Sequence, residues 1–284
     1  MSSGPLVSPG QLAEELGGSR APTVLDCRWR LAGGADRDGY ARGHLPGAVF
    51  VDLDRELSGP PGDGGRHPLP TAEAFQAAMR RAGVDDDRAV VAYDQGEPGG
   101  AARAWWLLGW FGHGDVRVLD GGLPAWVAAG LPLATDVPDP DPGDFTARLD
   151  RPGDPPGGRA LVDAAGAGDL AATGVLLDAR APARYQGLEE PVDPVAGHIP
   201  GAVNLPMADL LTDRGLVPPA TLRRKLTAAG AERSTPVGAY CGSGVVAAHL
   251  VLALEAAGVP AALYAGSWSD WVADPSRPVA TGPT

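Results

Sequence analysis

Cys241 is the residue of this 284-residue chain whose type and neighbours most clearly favour covalent chemistry. It follows a short apolar run typical of a buried strand and begins the sequence Cys241-Gly242-Ser243-Gly244, after which a long apolar run predicts a helix. Glycines let neighbouring main-chain N–H groups turn toward one sulfur atom, and a helix N-terminus adds partial positive charge that favours the thiolate. We therefore predict that Cys241 is a nucleophile.

The other cysteine, Cys27, follows Asp26 at the end of a predicted strand and has no flanking glycines. A free cysteine is often a small buried apolar residue, and we interpret Cys27 in this way. The chain has 2 cysteines and no C-x-x-C motif, which excludes a disulfide framework and a four-ligand zinc site. We expect neither a metal nor a cofactor.

The chain is acidic, with a formal net charge of -12 and a sequence pI of about 4.8. It therefore has no basic stripe that would neutralise phosphates, and we expect no nucleic-acid partner and no binding to membranes. The opening sequence MSSGPLVSPG lacks the pattern of a signal peptide, and no apolar run reaches about 18 residues. These features predict a cytoplasmic protein.

The chain contains a duplication, because four motifs recur in the same order roughly 150 residues later. The first copy contains TVLDCR (23–28), YARGHLPGAVFVDL (40–53), AVVAYD (89–94) and VRVLDGGLPAWVAAG (116–130). The second copy contains GVLLDAR (174–180), VAGHIPGAVNLP (195–206), PVGAYC (236–241) and AALYAGSWSDWVAD (261–274). The matched pairs are Asp26 with Asp178, His44 with His198, Asp94 with Cys241, and Trp126 with Trp271.

Short apolar runs rich in β-branched residues alternate with helical stretches in each copy. One helix is predicted to begin after Thr71, its N-cap, and to end at Gly83. Another follows Asp94, and an almost wholly apolar helix follows Cys241 and ends at Gly258. Strands that alternate with helices predict a largely parallel sheet covered on both faces.

The segment between the copies, 137–158, is rich in Pro, Gly and Asp. Such a stretch cannot hold a helix or a central strand, and it is predicted to be a linker over the surface. The predicted architecture is therefore α/β, with an N-terminal domain 1–136, the linker, and a C-terminal catalytic domain 159–284.

Residues shared by the two copies are explained by the shared fold, whereas residues that differ are candidates for function. His44 and His198 lie in the same G-H-x-P-G-A turn, and their equivalence favours a role in the fold. The paired tryptophans are predicted to belong to the domain cores. After the third strand, Asp94 in the first copy stands where the second has Cys241, so the first copy is predicted to be non-catalytic.

The ordered motifs D-x-R, G-H-I-P-G-A, C-G-S-G-V and G-S-W-S-x-W resemble the rhodanese family, and in particular its tandem-domain thiosulfate/3-mercaptopyruvate sulfurtransferases. The resemblance extends from about Val24 to Trp271 and implies two rhodanese-like domains, of which the first is inactive. It implies that Cys241 takes sulfane sulfur from a small anionic donor, 3-mercaptopyruvate or thiosulfate, and becomes a persulfide. A thiol or cyanide acceptor, such as the thiol of a thioredoxin-like protein, would then remove that sulfur.

The resemblance also implies roles for the residues that follow the nucleophile. The N–H groups of the loop, from Gly242 through Gly244 and Val245 to Val246, would stabilise negative charge on the sulfur. These neutral residues resemble the mercaptopyruvate branch, because thiosulfate-preferring relatives carry basic residues there. In that branch the serine that corresponds to Ser243 acts together with a histidine and a carboxylate of the first domain. By position they are His44 and either Asp36 or Asp38.

Binding of the donor's carboxylate is implied for Arg184, in the sequence DARAPARYQG, because a guanidinium pairs with a carboxylate through two hydrogen bonds. The branch usually has a second arginine after Glu-Pro, but this chain reads Glu190-Pro191-Val192-Asp193. We therefore expect mercaptopyruvate to bind more weakly or in a different arrangement. Val246 also departs from the pattern, since relatives often have Thr there.

Three other functions use a comparable cysteine. A Cys-based phosphatase needs an arginine six residues after the cysteine, and Ala247 stands there. A Cys–His hydrolase needs a base against the sulfur, but His249 lies well inside the predicted helix. A non-catalytic persulfide carrier or sulfur-relay module would have the same sequence, and it stays open as the alternative.

Overall fold

The computed structural model of the chain describes residues 4–62, 64–148 and 159–283. The chain divides into two compact units. The first comprises Met1–Gly59, Pro70–Arg159 and Asp213–Gly215, and the second comprises Pro60–Leu69, Ala160–Thr212 and Leu216–Thr284. The short segment Pro60–Leu69 thus belongs to the second unit, although the residues on both sides of it belong to the first.

The first half of the chain builds a five-stranded parallel sheet and its helices. The strands are β1 (Leu6–Val7), β2 (Thr23–Asp26), β3 (Trp29–Arg30), β4 (Gly34–Ala35), β5 (Val49–Phe50), β6 (Val90–Tyr93) and β7 (Val116–Leu119). The helices are α1 (Pro9–Leu16), α2 (Arg37–Arg42), α3 (Leu53–Glu56), α4 (Ala72–Arg81), α5 (Gly100–Trp110) and α6 (Gly122–Ala128). The sheet order is β1-β7-β6-β2-β5 with every pairing parallel, and β3 and β4 form a separate antiparallel pair.

The second half repeats this plan. Its strands are β8 (Ala160–Val162), β9 (Val175–Asp178), β10 (Val203–Asn204), β11 (Leu211–Thr212), β12 (Gly215–Leu216), β13 (Val237–Tyr240) and β14 (Ala262–Tyr264). Its helices are α7 (Ala164–Thr173), α8 (Pro182–Tyr185), α9 (Pro219–Ala228), α10 (Val245–Ala256) and α11 (Ser267–Trp271), with a 3-10 turn at Met207–Leu210. The parallel sheet has the order β10-β9-β13-β14-β8, which matches β5-β2-β6-β7-β1 strand for strand. The predicted α/β fold with two tandem domains is confirmed.

The duplication extends to buried polar interactions. Asp26 and Arg28 form a buried ion pair with an Oδ2–Nη2 distance of 2.7 Å, and Asp178 and Arg180 form its equivalent at 2.6 Å. Each guanidinium also donates to the carbonyl of the glycine that begins the G-H-x-P-G-A motif of its own copy. The D-x-R motif therefore ties the end of a central strand to the following turn in both units.

The paired tryptophans belong to the hydrophobic cores of their units, as predicted. Trp126 donates its indole N–H to the Pro132 carbonyl at 2.8 Å, and Trp271 donates to the Pro278 carbonyl at 2.9 Å. A buried indole needs such a partner, because an unpaired donor in an apolar core costs about 1–3 kcal/mol. Each tryptophan thus anchors the chain that leaves its helix.

The helices follow the sequence predictions closely. The Thr71 hydroxyl accepts a hydrogen bond from the Ala74 N–H at 3.2 Å, which caps the N-terminus of α4. The apolar α10 is buried along most of its length, as its composition predicts. Within the described ranges, no helix combines the length and hydrophobicity needed to cross a membrane.

The described part of the predicted linker, residues 137–148, contains neither helix nor strand. Phe145 departs from a purely surface path, because its side chain is fully buried and meets the Phe75 ring edge-on at 6.0 Å. Its N–H donates to the Val84 carbonyl at 3.1 Å. One aromatic residue therefore fastens this segment to the first unit, while residues 149–158 lie outside the described ranges.

Candidate active site

The Cys241 thiol lies at the carboxyl end of β13, where the chain turns into α10. The residue is 3% exposed. The Gly244 N–H donates to the Cys241 sulfur with an N–S distance of 3.2 Å, and the Cys241 N–H donates to the Ser267 hydroxyl at 3.1 Å. A main-chain donor directed at the sulfur favours its anionic form.

Two residues with unusual main-chain conformations hold this loop in place. Gly244 has a φ of 79°, and a Cβ at this position would overlap the Ala265 carbonyl oxygen, so only glycine fits. Ser267 has a φ of 55°, a conformation that costs a non-glycine residue about 1–3 kcal/mol. Its hydroxyl donates to the Tyr264 carbonyl at 2.9 Å while it accepts from Cys241. The strained serine therefore fixes the main chain of the nucleophile.

Ser243, which follows the nucleophile by two residues, hydrogen-bonds to a histidine from the first half of the sequence. The distance between Ser243 Oγ and His67 Nδ1 is 2.7 Å. Ser243 is 4% exposed and His67 is half-buried. His67 belongs to Pro60–Leu69, the segment that lies in the second unit. This serine–histidine pair can move a proton at a site next to the thiol.

The predicted assistance from His44 is corrected by this geometry, because His67 is the histidine that contacts Ser243. His44 is fully buried in the first unit, where Nδ1 lies 2.9 Å from the Tyr40 carbonyl and Nε2 lies 3.0 Å from the Asp136 carbonyl. Its ring stacks on Tyr40 with a centroid distance of 4.0 Å. His198 repeats the arrangement on Tyr185, with a centroid distance of 3.7 Å. Both histidines therefore stabilise the turn that they share.

The two carboxylates suggested as partners of His44 lie on helix α2. Asp36 is the N-cap of this helix, and its Oδ1 accepts from the Gly39 N–H at 2.8 Å. Asp38 lies in the first turn, where a negative charge stabilises the helix dipole. Both aspartates thus have a local role in the first unit.

Sequence reasoning missed His67, although a signal for it exists. The stretch Gly64-Gly65-Arg66-His67-Pro68 of the first copy has no histidine counterpart in the second. Comparison of the copies singled out Cys241 because it differs from Asp94, and the same criterion, applied to the segment before the third strand, would have included His67 among the candidates. What the sequence could not supply is the assignment of this segment to the second unit.

Arg184, the predicted carboxylate-binding residue, lies beside the cysteine loop at Gly242. Its Nη2 donates to Glu190 Oε1 at 2.6 Å, and its Nε donates to Glu190 Oε2 at 3.2 Å. Its Nη1 would lie 3.5 Å from a Cβ placed on Gly242, the residue next to the nucleophile. One edge of the guanidinium is therefore held by Glu190 while the Nη1 end faces the loop.

A second guanidinium, that of Arg66, reaches the same place. Its Nη2 would lie 2.9 Å from a Cβ on Gly242, and its Nη1 forms an ion pair with Asp193 Oδ1. Asp193 Oδ2 accepts from Arg184 Nη2 at 3.3 Å. The carboxylate of Asp193 therefore bridges the two arginines, and Gly242 has no side chain that would block them.

The two acidic residues respond differently to this surrounding charge. Burial raises the pKa of Asp193, and the positive charge of Arg66 offsets part of that effect. Burial also acts to raise the pKa of Glu190, but hydrogen bonds from Arg184 and from two main-chain N–H groups outweigh it and lower the pKa. Glu190 thus remains ionised at neutral pH and holds Arg184.

The equivalent position in the first unit carries a carboxylate instead of a thiol. Asp94 Oδ1 accepts from the Gly96 N–H at 3.0 Å, and Oδ2 accepts from the Ala101 N–H at 3.3 Å. Burial raises the pKa of Asp94 to about 6. The carboxylate of Asp94 therefore occupies the loop N–H groups of the first unit, and this unit has no sulfur nucleophile at the equivalent position.

The remaining candidate residues have simple positions. Val245 is buried and Val246 is half-buried, and they begin helix α10 after the loop. Ala247, where a phosphatase would need arginine, is fully buried. Burial lowers the pKa of His249 to about 4, so this residue is a poor base at neutral pH. Cys27 is fully buried, and burial together with nearby carboxylates raises its thiol pKa well above the usual value.

Known proteins resemble this chain in sequence and in fold. The model of the rhodanese-like domain matches residues 8–129 and again residues 161–274. A probable 3-mercaptopyruvate sulfurtransferase of Pseudomonas aeruginosa is 46% identical over 293 residues, covering 99% of this chain and all of the relative. A putative thiosulfate sulfurtransferase of Mycobacterium tuberculosis is 45% identical over 282 residues, covering 98% of this chain and 97% of the relative.

A solved structure, the 3-mercaptopyruvate sulfurtransferase of Escherichia coli, matches with a TM-score of 0.79 and 33% identity over 94% of this chain and 100% of that one. The tandem fold and the cysteine loop define an enzyme of the sulfurtransferase class. The chain belongs to the rhodanese family.

Proposed function

We propose that this enzyme transfers the sulfur of 3-mercaptopyruvate to a thiol or to cyanide through a persulfide on Cys241. The observation that carries the donor assignment is the position of Arg184, whose Nη1 faces the loop beside the nucleophile. Because Gly242 directly follows Cys241, a carboxylate bound to this guanidinium would hold the rest of a three-carbon donor beside the nucleophile. The neutral loop residues Gly242, Ser243 and Gly244 suit a monoanion better than a dianion.

In the first half-reaction the Cys241 thiolate attacks the donor's sulfur atom. A sulfur–sulfur bond forms, the carbon–sulfur bond of the donor breaks, and the bonding electron pair goes to the methylene carbon. That carbon takes a proton and leaves as the methyl group of pyruvate. The proton lost by the donor's thiol balances this step, and the persulfide anion remains on Cys241, stabilised by the Gly244 N–H.

The pair formed by Ser243 and His67 supports mercaptopyruvate over thiosulfate. The carbon leaving group of mercaptopyruvate needs a proton as it departs, and a serine hydroxyl 2.7 Å from an imidazole can deliver one. Sulfite, the leaving group of thiosulfate, is a stable anion that needs no proton. A hydroxyl–imidazole pair beside the nucleophile therefore has a task with one donor and none with the other.

In the second half-reaction an acceptor thiolate or cyanide attacks the outer sulfur of the persulfide. A new bond to sulfur forms, the sulfur–sulfur bond breaks, and Cys241 returns to the thiolate. A thioredoxin-like protein presents an acceptor thiol of this kind. We also propose a cytoplasmic location, because a reducing compartment keeps the free Cys27 and Cys241 thiols unoxidised.

The donor assignment is tested by the ratio of catalytic efficiencies for mercaptopyruvate and thiosulfate. The wild type is expected to prefer mercaptopyruvate, and Arg184→Gln to lower kcat/KM for it about 10- to 100-fold. Arg277→Gln is the matched control, because Arg277 is also partly buried and ion-paired but contacts Asp270 and Asp274 instead of the loop. Preference for thiosulfate, or an Arg184 variant with unchanged mercaptopyruvate kinetics, would contradict the assignment. Stoichiometric loading without turnover would indicate a carrier.

A further inference from the structure

We infer that Ser269 is a positioning residue, which holds His67 in place for proton transfer through Ser243. The inference rests on the proposed function, because Ser269 acts on the reaction only through the pair that Ser243 and His67 form. Ser269 lies in helix α11 and hydrogen-bonds to the chain neighbour of each member of this pair.

The main chain of Ser269 is tied to the cysteine loop. Its N–H donates to the Gly242 carbonyl at 2.9 Å, and the preceding Trp268 N–H donates to the Cys241 carbonyl at 3.0 Å. The first N–H groups of a helix have no partner within the helix, so they are available for carbonyl groups outside it. Two successive main-chain hydrogen bonds therefore join the start of α11 to the loop of the nucleophile.

The side chain of Ser269 is tied to the segment that carries His67. Its hydroxyl donates to the Gly266 carbonyl at 3.2 Å and accepts from the Arg66 N–H at 3.1 Å. A serine hydroxyl has one donor and two lone pairs, so both bonds can form at once. Because His67 directly follows Arg66, the second bond fixes the main chain from which the imidazole reaches Ser243.

The same two segments approach each other too closely for a side chain at Gly65. This residue has a φ of 93°, and a Cβ there would lie 2.6 Å from Ser269 Oγ and 2.7 Å from the Gly266 carbonyl oxygen. Only glycine allows this approach. A shift of the chain at Ser269 is therefore expected to displace His67, which lies two residues beyond Gly65.

The first copy of the domain provides an internal comparison. Counted from the paired tryptophans, the residue equivalent to Ser269 is Pro124. The Leu123 N–H donates to the Asp94 carbonyl at 2.8 Å, so the first of the two main-chain bonds is kept. Proline has neither an N–H nor a hydroxyl, so Pro124 can form neither of the bonds that Ser269 adds. Ser269 thus distinguishes the copy that has a sulfur nucleophile from the copy that has Asp94.

The test replaces Ser269 with alanine, which removes the hydroxyl but keeps the N–H that donates to Gly242. With mercaptopyruvate, kcat is expected to fall about 10- to 30-fold, because a misplacement of about 1 Å can cost about 100-fold. With thiosulfate the loss should stay below about twofold, since sulfite leaves without a proton. Ser276→Ala is the matched control, because its hydroxyl donates to Asp274 Oδ1 at 2.6 Å. This control should keep both rates at the wild-type value.

A double variant shows whether Ser269 acts through His67. Added to His67→Asn, the change Ser269→Ala should lower kcat with mercaptopyruvate by less than about threefold, because the imidazole that Ser269 positions is already absent. A further loss of about tenfold or more would show that Ser269 supports the site independently of His67, and it would overturn the inference.

Equal losses with both donors in Ser269→Ala, or no loss with either, would also overturn the inference while the proposed function stands. A wild type that releases no pyruvate from mercaptopyruvate would overturn the proposed function and the role of Ser269 with it. If Ser269→Ala does not unfold cooperatively, Ser269→Thr is measured in its place. Threonine keeps an accepting hydroxyl, so the ratio of the two rates should stay within about threefold of the wild-type ratio. A ratio that falls about tenfold would contradict the inference.

Discussion

Replacing His67 with asparagine distinguishes proton transfer by the serine–histidine pair from the hydrogen bond that holds the pair together. An asparagine amide can reach the place of Nδ1, which lies 2.7 Å from Ser243 Oγ, but it cannot take up and release a proton at neutral pH. His44→Asn is the matched control. It removes the same residue type from a fully buried position whose ring nitrogens face the Tyr40 and Asp136 carbonyls.

The two variants are expected to affect different quantities. A positioned general acid or base contributes about 10²- to 10⁴-fold, so kcat with mercaptopyruvate should fall by about this factor in His67→Asn. With thiosulfate the loss should be less than about tenfold, because sulfite leaves without a proton. His44→Asn loses buried hydrogen bonds and a stacked ring, which should cost about 2–4 kcal/mol of unfolding free energy and leave kcat unchanged.

Pyruvate release under saturating donor measures kcat, and urea unfolding monitored by tryptophan fluorescence measures stability. His67→Asn should thus lower kcat, whereas His44→Asn should lower only the unfolding free energy. A His67 variant with wild-type kcat for mercaptopyruvate would refute the proton-transfer argument. A His44 variant of normal stability that loses turnover would restore the assignment made from sequence position alone.

Two further predictions concern the cysteine loop and its counterpart. Gly244→Ala should lower kcat about 100-fold or more, because the added Cβ overlaps the Ala265 carbonyl and moves the N–H that faces the sulfur. Gly258→Ala is the control, because Gly258 has the same φ of 79° with open space around it. This variant should lose only about 1 kcal/mol of unfolding free energy and retain activity. The pKa of Asp94 is raised from 3.8 to about 6, so the folded state binds the proton of this carboxyl more tightly than the unfolded state does. Protonation of Asp94 therefore stabilises the fold below about pH 4, and this stabilisation is lost as the pH rises through 6. The unfolding free energy of the wild type relative to Asp94→Asn should therefore fall by about 3 kcal/mol at most between pH 4 and 7, and a difference that does not change with pH would contradict this reasoning.

Much of the fold can be read from the sequence because its determinants are local. Thr71 caps α4, the run after Cys241 forms α10, and the repeated motifs specify two sheets of the same strand order. The edge strands β1 and β8 could not be read, because two or three residues give no periodicity and their pairing is decided by the neighbouring strand.

For the site, too, features set by local sequence could be predicted and those set by long-range packing could not. Cys241, Gly242 and Gly244 lie in one short stretch, so a glycine-rich turn before a helix was enough to predict Cys241 as the nucleophile, whereas a role for Ser243 was implied only by the family resemblance. His67 and Arg66 are distant in sequence from that loop, and their place depends on which unit the segment Pro60–Leu69 packs against. His44 was assigned by its position under the family resemblance, although its motif is repeated around His198, and the conformation of that motif explains both histidines.

The account depends most on a covalent sulfur carried by the Cys241 side chain. Intact-protein and peptide mass spectrometry after treatment with mercaptopyruvate, before any acceptor is added, measures this directly. We predict one additional sulfur atom on the peptide that contains Cys241, its loss after cyanide, and no addition to the peptide that contains Cys27. An enzyme that releases pyruvate while Cys241 stays unmodified, or that gains sulfur only at Cys27, would contradict the mechanism.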